Sequence, residues 1–215
     1  SALVLSGTIF TSCDKSDDQD DQQGSSAIYL PSKLTDESET VTFNYDSQDR
    51  ILEYNSISES DALNIITTKI TFNYTGDKLV SAKEVYTSGT YTSTENYTFV
   101  YQNNQVTITN QYANNSGSSE TITNIYNLDG NGKLLSGDGA TVTYDNRGNV
   151  SKMIEEDDFQ IDLEYNNENG IFKHVKTPQF ALIVIFDDYY MFKVNNPTKA
   201  ISTDLDSNET YTNTL

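Results

Sequence analysis

Few residues of this chain are of the types that do chemistry, and its single cysteine is the most informative of them. Cys13 separates an apolar run, residues 1–12, from the acidic stretch 14–26. The apolar run is typical of the end of a secretory signal, in which small residues lead to a cleavage point. A lone thiol at that junction predicts a lipid attachment site. One cysteine allows no intramolecular disulfide, thiolate metal cluster or Cys-x-x-Cys redox pair.

Histidine chemistry is equally restricted. Nucleophilic catalysis by Ser–His–Asp or Cys–His groups needs a base that titrates near neutral pH, usually a histidine. His174 is the only histidine, and the alternating run 171–175 predicts that it is a structural or exposed residue on a strand. A single histidine cannot build a multi-histidine zinc or iron site. We therefore predict no metal site, no cofactor and no enzymatic activity.

Paired carboxylates can hydrolyse glycosidic bonds without a histidine. Two acidic runs are candidates for such a pair. Residues 155–158 read Glu-Glu-Asp-Asp, and 187–188 read Asp-Asp before Tyr189 and Tyr190. Adjacent acids on a strand point to opposite faces, so neither run is a ready-made pair. The first predicts a solvated turn and the second the end of a strand. The run 129–133, Asp-Gly-Asn-Gly-Lys, lacks the bidentate glutamate of a calcium loop and also predicts a turn.

Aromatic side chains could stack on sugar rings or contact a protein ligand. The chain has 15 tyrosines, 9 phenylalanines and no tryptophan. Most of the tyrosines alternate with Phe and Ile, which predicts that they fill the core face of a sheet. Tyr91, Tyr189 and Tyr190 lie at the edge of this alternation or outside it. They are the candidates for an exposed ligand-binding surface.

The overall charge excludes several kinds of partner. The formal net charge is −19, so phosphate backbones and anionic headgroups would be repelled. We predict no nucleic-acid ligand. The apolar segments 2–10 and 180–186 are much shorter than the roughly 20 residues that span a bilayer, so no transmembrane span is predicted.

Period-2 alternation governs the chain from residue 28 onward. In 70–74, Ile70, Phe72 and Tyr74 fall on one parity and Thr71 and Asn73 on the other, the pattern of a half-buried strand. Gly-, Asn- and Asp-rich turns follow such runs. The tyrosines that end a run are Tyr45, Tyr74, Tyr101, Tyr126, Tyr144 and Tyr165. We predict an all-β fold, a long antiparallel meander of roughly ten to twelve strands, curled or partly closed to limit its edges.

One segment does not follow the alternation. Residues 180–186 are apolar on both parities, between Pro178 and the stop at 195–197. The flanking prolines favour a buried helix, whereas the Ile-Val-Ile triplet favours a central strand. We predict one short helix or irregular plug near 178–192, covering the concave face of the sheet.

Two turns carry a family resemblance. Residues 45–51 (Tyr-Asp-Ser-Gln-Asp-Arg-Ile) and 144–150 (Tyr-Asp-Asn-Arg-Gly-Asn-Val) resemble the YD repeat of Rhs-type wall and toxin-shell proteins. The first turn lacks the glycine, and the other four tyrosine units lack the aspartate. With the cysteine near the start and the closing run 195–201, the chain resembles an uncharacterised lipoprotein family of Bacteroides-type bacteria. The resemblance implies an all-β domain and provides no catalytic residues.

The leader resembles that of the same family. Residues 10–13, Phe-Thr-Ser-Cys, resemble a lipobox with Phe in place of the commoner Leu. Five residues resemble the acidic signal that sends such lipoproteins to the outer face of the outer membrane: Lys15, Asp17, Asp18, Asp20 and Asp21. The resemblance implies an outer-membrane, lipid-anchored protein facing the cell exterior, with the periplasmic face as the alternative.

The predicted organisation has three parts: a signal remnant with its cysteine over 1–13, an acidic flexible tether over 14–27, and a single YD-like β-domain over 28–215. The predicted role is a non-enzymatic, surface-anchored module that binds a glycan, a peptide or an envelope partner. Two alternatives stay open. One is a carboxylate-pair glycoside hydrolase, and the other is a purely structural envelope protein.

Overall fold

The computed structural model describes residues 29–61, 64–155, 158–186 and 194–214. The predicted lipid acceptor Cys13 and the export-signal residues Lys15, Asp17, Asp18, Asp20 and Asp21 lie outside the described residues. So do the tether and the ligand candidates Tyr189 and Tyr190. The predictions for these residues therefore stay predictions.

Fourteen strands form one antiparallel sheet in which each strand pairs with its neighbours in sequence. The all-β meander is confirmed. It has more than the predicted ten to twelve strands because β1, β9 and β14, of three to five residues, are too short for alternation to reveal them. The strands are β1 Lys33–Thr35, β2 Glu39–Tyr45, β3 Ile51–Asp61, β4 Asn64–Thr75, β5 Lys78–Ser88, β6 Tyr91–Gln102, β7 Gln105–Asn114, β8 Ser119–Leu128, β9 Leu134–Gly137, β10 Ala140–Tyr144, β11 Val150–Glu155, β12 Phe159–Asn169, β13 Asn195–Asp204 and β14 Thr210–Thr214.

One helix, α1 (Gln179–Phe186), fills the concave side of the sheet. Phe180, Ala181, Leu182, Ile183 and Ile185 are buried, and at 100° per residue they point in all directions around the helix axis. A helix that is apolar all round is stable only when it is enclosed. The sheet therefore curls around α1. Of the two predicted possibilities near 178–192, a short helix or an irregular plug, the helix forms, over 179–186.

The helix lies toward one end of the strands, as its ring contacts show. The centroid of the Phe180 ring is 6.2 Å from that of Tyr101, and the Phe186 centroid is 4.8 Å from that of Tyr54. We call the end of the sheet that carries the strand-ending tyrosines the turn end. No helix in the described part of the chain is long and apolar enough to cross a membrane.

The segment between β12 and α1 links the two sides of the curl. The Gly170 amide donates to the Val194 carbonyl, and the Lys176 amide donates to the Asp49 carbonyl, each at 3.0 Å. Six residues reach at most about 20 Å, so the β12–β13 side lies close to the β2–β3 side. Within the described residues, however, no ladder joins β1 to β14, and the sheet is not closed.

The strand-like interpretation of 171–175 is wrong, because residues 171–174, including His174, form a turn. Phe172 is 4% exposed, and the centroid of its ring is 5.4 Å from that of Phe43. Packing of this phenylalanine across the curl takes the segment out of the sheet despite its alternating sequence.

Candidate functional site

Three turns at the turn end repeat one hydrogen-bond pattern around an aspartate: Asp46, Asp129 and Asp145. In the third, Asp145 Oδ1 accepts the amides of Arg147 and Asn149, each at 2.9 Å. Asp129 Oδ1 likewise accepts the amides two and four residues later, each at 2.8 Å. Residues 129–133 thus form the predicted turn, with the carboxylate occupied by backbone.

The fourth residue of each turn has a positive φ: 63° at Asp49, 82° at Gly132 and 94° at Gly148. Glycine adopts this region without steric cost, and aspartate tolerates it. The first turn therefore keeps its shape without the glycine that the third turn has.

The strand-ending tyrosines are also occupied by structural contacts. Tyr74 Oη donates to the Ile51 carbonyl and Tyr101 Oη to the Leu79 carbonyl, each at 2.9 Å. Basic side chains cover several of these rings: Arg50 Cζ lies 4.2 Å from the ring centroid of Tyr74. Tyr144 is covered in the same way, because Lys133 Nζ lies 4.8 Å from the centroid of its ring. The chemistry of the turn end is thus mainly internal and structural.

A different set of polar side chains lies on the concave face beyond the helix. Tyr97 and Phe99 of β6 are buried in the core, so Glu95, two residues earlier, faces the same side. Glu84 of β5 is directly opposite Glu95 in the ladder, and Tyr97 is directly opposite Asn110 of β7. Like charges at directly opposed positions oppose pairing.

The two carboxylates have different surroundings. Glu95 Oε2 accepts the Tyr97 hydroxyl and the Asn110 amide, each at 2.6 Å. Burial, followed by the charge of Glu95, raises the pKa of Glu84 from 4.5 to about 7. Glu84 is therefore partly protonated at neutral pH, beside Glu95, which accepts two hydrogen bonds. Oδ1 of Asn110 is buried and has no partner.

Tyrosines form the outer rim of this face. Tyr86 and Tyr91 meet edge to face at 6.1 Å between ring centroids. The hydroxyls of Tyr91 and Tyr112 are 2.6 Å apart, and Asn114 Nδ2 donates to Tyr112 Oη at 2.8 Å. Tyr91 is 36% exposed. We call the following set the tyrosine–glutamate patch: Glu84, Tyr86, Tyr91, Glu95, Tyr97, Asn110, Tyr112 and Asn114.

Basic side chains are absent from this patch and from the concave face in the described part of the chain. Of the 13 Lys and Arg residues, Lys15 and Lys193 lie outside the described residues. Six of the others lie at the turn end: Arg50, Lys78, Lys133, Arg147, Lys173 and Lys176. Five lie on the convex face by strand parity: Lys33, Lys69, Lys83, Lys152 and Lys199.

The structure brings together one predicted site residue and two that sequence reasoning missed. Tyr91 lies in the patch, and its role as a ligand residue stays a prediction. The carboxylates that meet are Glu84 and Glu95. Of the acidic run that was a candidate, Glu155 ends β11, and Asp158 lies in a turn, where its amide donates to the Glu155 carbonyl. The missed signal is hairpin register: Ser88 pairs with Tyr91 across Gly89 and Thr90, which places Glu84 opposite Glu95.

Metal ligation has no support in the described part of the chain, where no three His, Cys, Asp or Glu side chains are grouped to hold an ion.

Comparison with known proteins gives little further guidance. No protein-family model matches the chain, and no curated protein is significantly similar to it. Among solved structures, a porin-like protein from Bacteroides vulgatus ATCC 8482 is similar with a TM-score of 0.37 and 14% identity, over 86% of this chain and 85% of that chain. A likeness of this degree carries no function across, so the site is interpreted from its own geometry.

Proposed function

We propose that this protein is a lipid-anchored envelope protein whose β-domain is a non-enzymatic binding module for a neutral glycan. The ligand binds on the tyrosine–glutamate patch. The observation that carries the proposal is the grouping of a partly exposed tyrosine rim with hydrogen-bonding carboxylates and amides on the concave face, beyond the helix that fills the core.

The side chains of the patch suit a sugar. A partly exposed ring such as Tyr91 offers an apolar face with a polar tip. The carboxylates of Glu84 and Glu95 accept hydrogen bonds from hydroxyl groups, and Asn114 can donate or accept. Because no described basic residue faces this surface, an anionic glycan would be repelled. Of the three predicted kinds of ligand, a glycan, a peptide or an envelope partner, a neutral glycan therefore fits the patch best.

The binding experiment is a glycan array with the purified chain, followed by calorimetry with the strongest neutral hit. Tyr91→Ala should weaken that binding by roughly fivefold, since an exposed aromatic contact is worth on the order of 1 kcal/mol. Tyr211→Ala is the matched control, because Tyr211 is 60% exposed on the edge strand β14, away from the patch. Equal loss in both variants, or an array without hits, would contradict the proposal.

The anchor has its own test. Cys13, the lipobox-like run before it and the acidic residues after it support attachment to the outer membrane, facing the exterior. Cys13→Ala should release the protein from membranes, measured by fractionation and incorporation of labelled fatty acid. Protease treatment of intact cells distinguishes the exterior from the periplasmic face. Retention of the Cys13→Ala protein in the membrane would contradict lipid anchoring.

Glycoside hydrolysis is the second candidate, and the Glu84–Glu95 pair is the observation that favours it. A raised pKa suits Glu84 to act as the acid, while the hydrogen bonds to Glu95 suit it to act as nucleophile or base. Incubation of array hits with the protein and chromatography of the products tests this candidate. Release of shorter sugars that stops in both Glu84→Gln and Glu95→Gln would make the protein an enzyme. Intact sugars with retained binding support the binding module.

A further inference from the structure

A separate cavity of about 300 Å³ opens on the concave side of β8–β12. Its floor includes Ile183 and Val184 of the helix, and the rings of Tyr126 and Phe159 line it. It shares no lining residue with the tyrosine–glutamate patch. This volume is at the small end of ligand-binding cavities, large enough for a side chain or a compact small molecule.

Strand length explains why the cavity exists. Strands β4 to β8 have ten to twelve residues and extend well past the helix, whereas β9, β10 and β11 have only four to six. The shorter strands leave a space beside Ile183 and Val184 of α1. Gly137 ends β9 against Tyr126, and any side chain at this position would collide with that ring. The absence of a side chain fixes the Tyr126 wall close to the β9–β10 hairpin.

The rim of the cavity is acidic. Asp138 lies in the two-residue turn between β9 and β10, Asp158 in the turn before β12, and Glu155 at the end of β11. Glu155 pairs with Ala140, which is 9% exposed, so its side chain points to the same concave side. None of the eleven described basic residues lies on this face. The cavity thus combines an apolar floor, aromatic walls and a negative rim.

We propose that this cavity binds an amphipathic cation, in which an ammonium or guanidinium group is carried on an apolar stem. The stem would occupy the space over Ile183 and Val184, while the charged head would meet the acidic rim. Aromatic rings attract cations placed over their faces, so the ring of Phe159 would favour the same ligand. The source of the cation is either a lysine or arginine side chain of a peptide or a free alkyl or aryl amine.

Calorimetry and NMR shift mapping on the whole chain test this proposal with defined probes. Benzylamine and the blocked peptide Gly-Lys-Gly represent the two sources of the cation. Benzyl alcohol and benzoate are the neutral and anionic controls for benzylamine. We expect at least one cationic probe to bind with shifts at Ile183 and Val184, roughly tenfold tighter than benzyl alcohol. If the peptide alone binds, the source is a protein side chain, and if benzylamine alone binds, it is a free amine.

Variants separate this site from the patch. The double change Asp138→Asn and Asp158→Asn should weaken the binding of the cation by roughly tenfold. Val184→Phe should abolish this binding by filling the cavity. The double change Glu37→Gln and Asp77→Asn, at exposed positions outside the cavity, is the control for the loss of two negative charges. The proposal is overturned if benzyl alcohol binds as well as benzylamine, if this control variant weakens binding equally, or if no cation binds below about 10 mM. Tyr91→Ala should leave the binding of the cation unchanged. If no cation binds to the cavity, the glycan proposal is therefore not affected.

Discussion

The turn end and the tyrosine–glutamate patch use the same residue types in opposite ways. At the turn end, each repeated aspartate accepts backbone amides of its own turn, and basic residues cover several of the tyrosine rings. On the patch, two glutamates face each other across one hairpin, and the tyrosine rim has no described basic neighbour. Tyrosine and carboxylate are therefore structural in one region and available to a ligand in the other.

This contrast gives the two regions opposite pH responses. Hydrogen bonds from the Lys133 amide and its neighbours lower the pKa of Asp129. At Asp145, burial works against ionisation, but hydrogen bonds led by those of Asn149 lower its pKa. Stability from these aspartates is lost as pH falls through their folded pKa values. The pKa of Glu84 is raised, so the contribution of Glu84 to stability is lost in the opposite direction, as pH rises.

The largest expected effect concerns the helix, because it fills the core between the two regions. Leu182 is 1% exposed. Leu182→Ala should lower the free energy of unfolding by about 3 kcal/mol, from lost apolar contact and a residual cavity. Urea denaturation measures it, with Leu135→Ala, at a 42% exposed position, as control. Similar losses in the two variants would mean that α1 is not enclosed.

The next effect is the pH response of the patch. The contribution of Glu84 is fully present below its unfolded pKa near 4.5 and is lost as pH rises through its folded pKa of about 7. The free energy of unfolding of the Glu84→Gln variant should therefore rise by on the order of 2 kcal/mol relative to that of the wild type between pH 4.5 and pH 8. Urea midpoints at the two pH values give the difference. Parallel pH curves for the two proteins would show that the pKa of Glu84 is not raised in the folded protein.

The turn-end aspartates should be more modest determinants of stability. Asp145→Ala removes the acceptor of the Arg147 and Asn149 amides and should cost about 1–2 kcal/mol at pH 7. Asp77→Ala is the control, since Asp77 is exposed in a two-residue turn. The cost of Asp145→Ala should shrink below pH 4, when the carboxyl is protonated. A cost that does not depend on pH would contradict the role of the charged form.

The smallest effect concerns the basic residues over the tyrosine rings. Lys78 Nζ lies 5.1 Å from the ring centroid of Tyr101. Lys78→Met keeps the apolar stem, removes the charge and should cost about 0.5 kcal/mol. Lys83→Met on the convex face provides the comparison for loss of one positive charge. Equal changes would assign the effect to net charge and not to the ring contact.

Much of the fold could be predicted because its signals are local. Alternation in segments such as 70–74 revealed the strands, and the Gly- and Asp-containing turns revealed their ends. The helix at 179–186 was recognisable as an interruption of this alternation. Residues 171–174 were assigned wrongly because the ring contact between Phe172 and Phe43, distant in sequence, outweighs the local pattern.

The candidate site was harder to predict because it depends on register between strands. Alternation places Glu84 on one face of β5 and Glu95 on one face of β6. It does not state that they are opposite each other, although the short turn at Gly89 and Thr90 determines this. The cavity depends on differences in strand length and on the covering of α1, which no single segment encodes. Tyr91 could be nominated as a candidate because it lies at the edge of the regular alternation or outside it.

The most direct test of the contrast is a carbon-detected NMR titration of the side-chain carboxyl groups in one sample of the whole chain. The account predicts a midpoint of about 7 for Glu84 and midpoints below the ordinary 3.8 for Asp129 and Asp145. A Glu84 midpoint near 4.5 would contradict it, because Glu84 would then be as well solvated as an ordinary surface carboxylate.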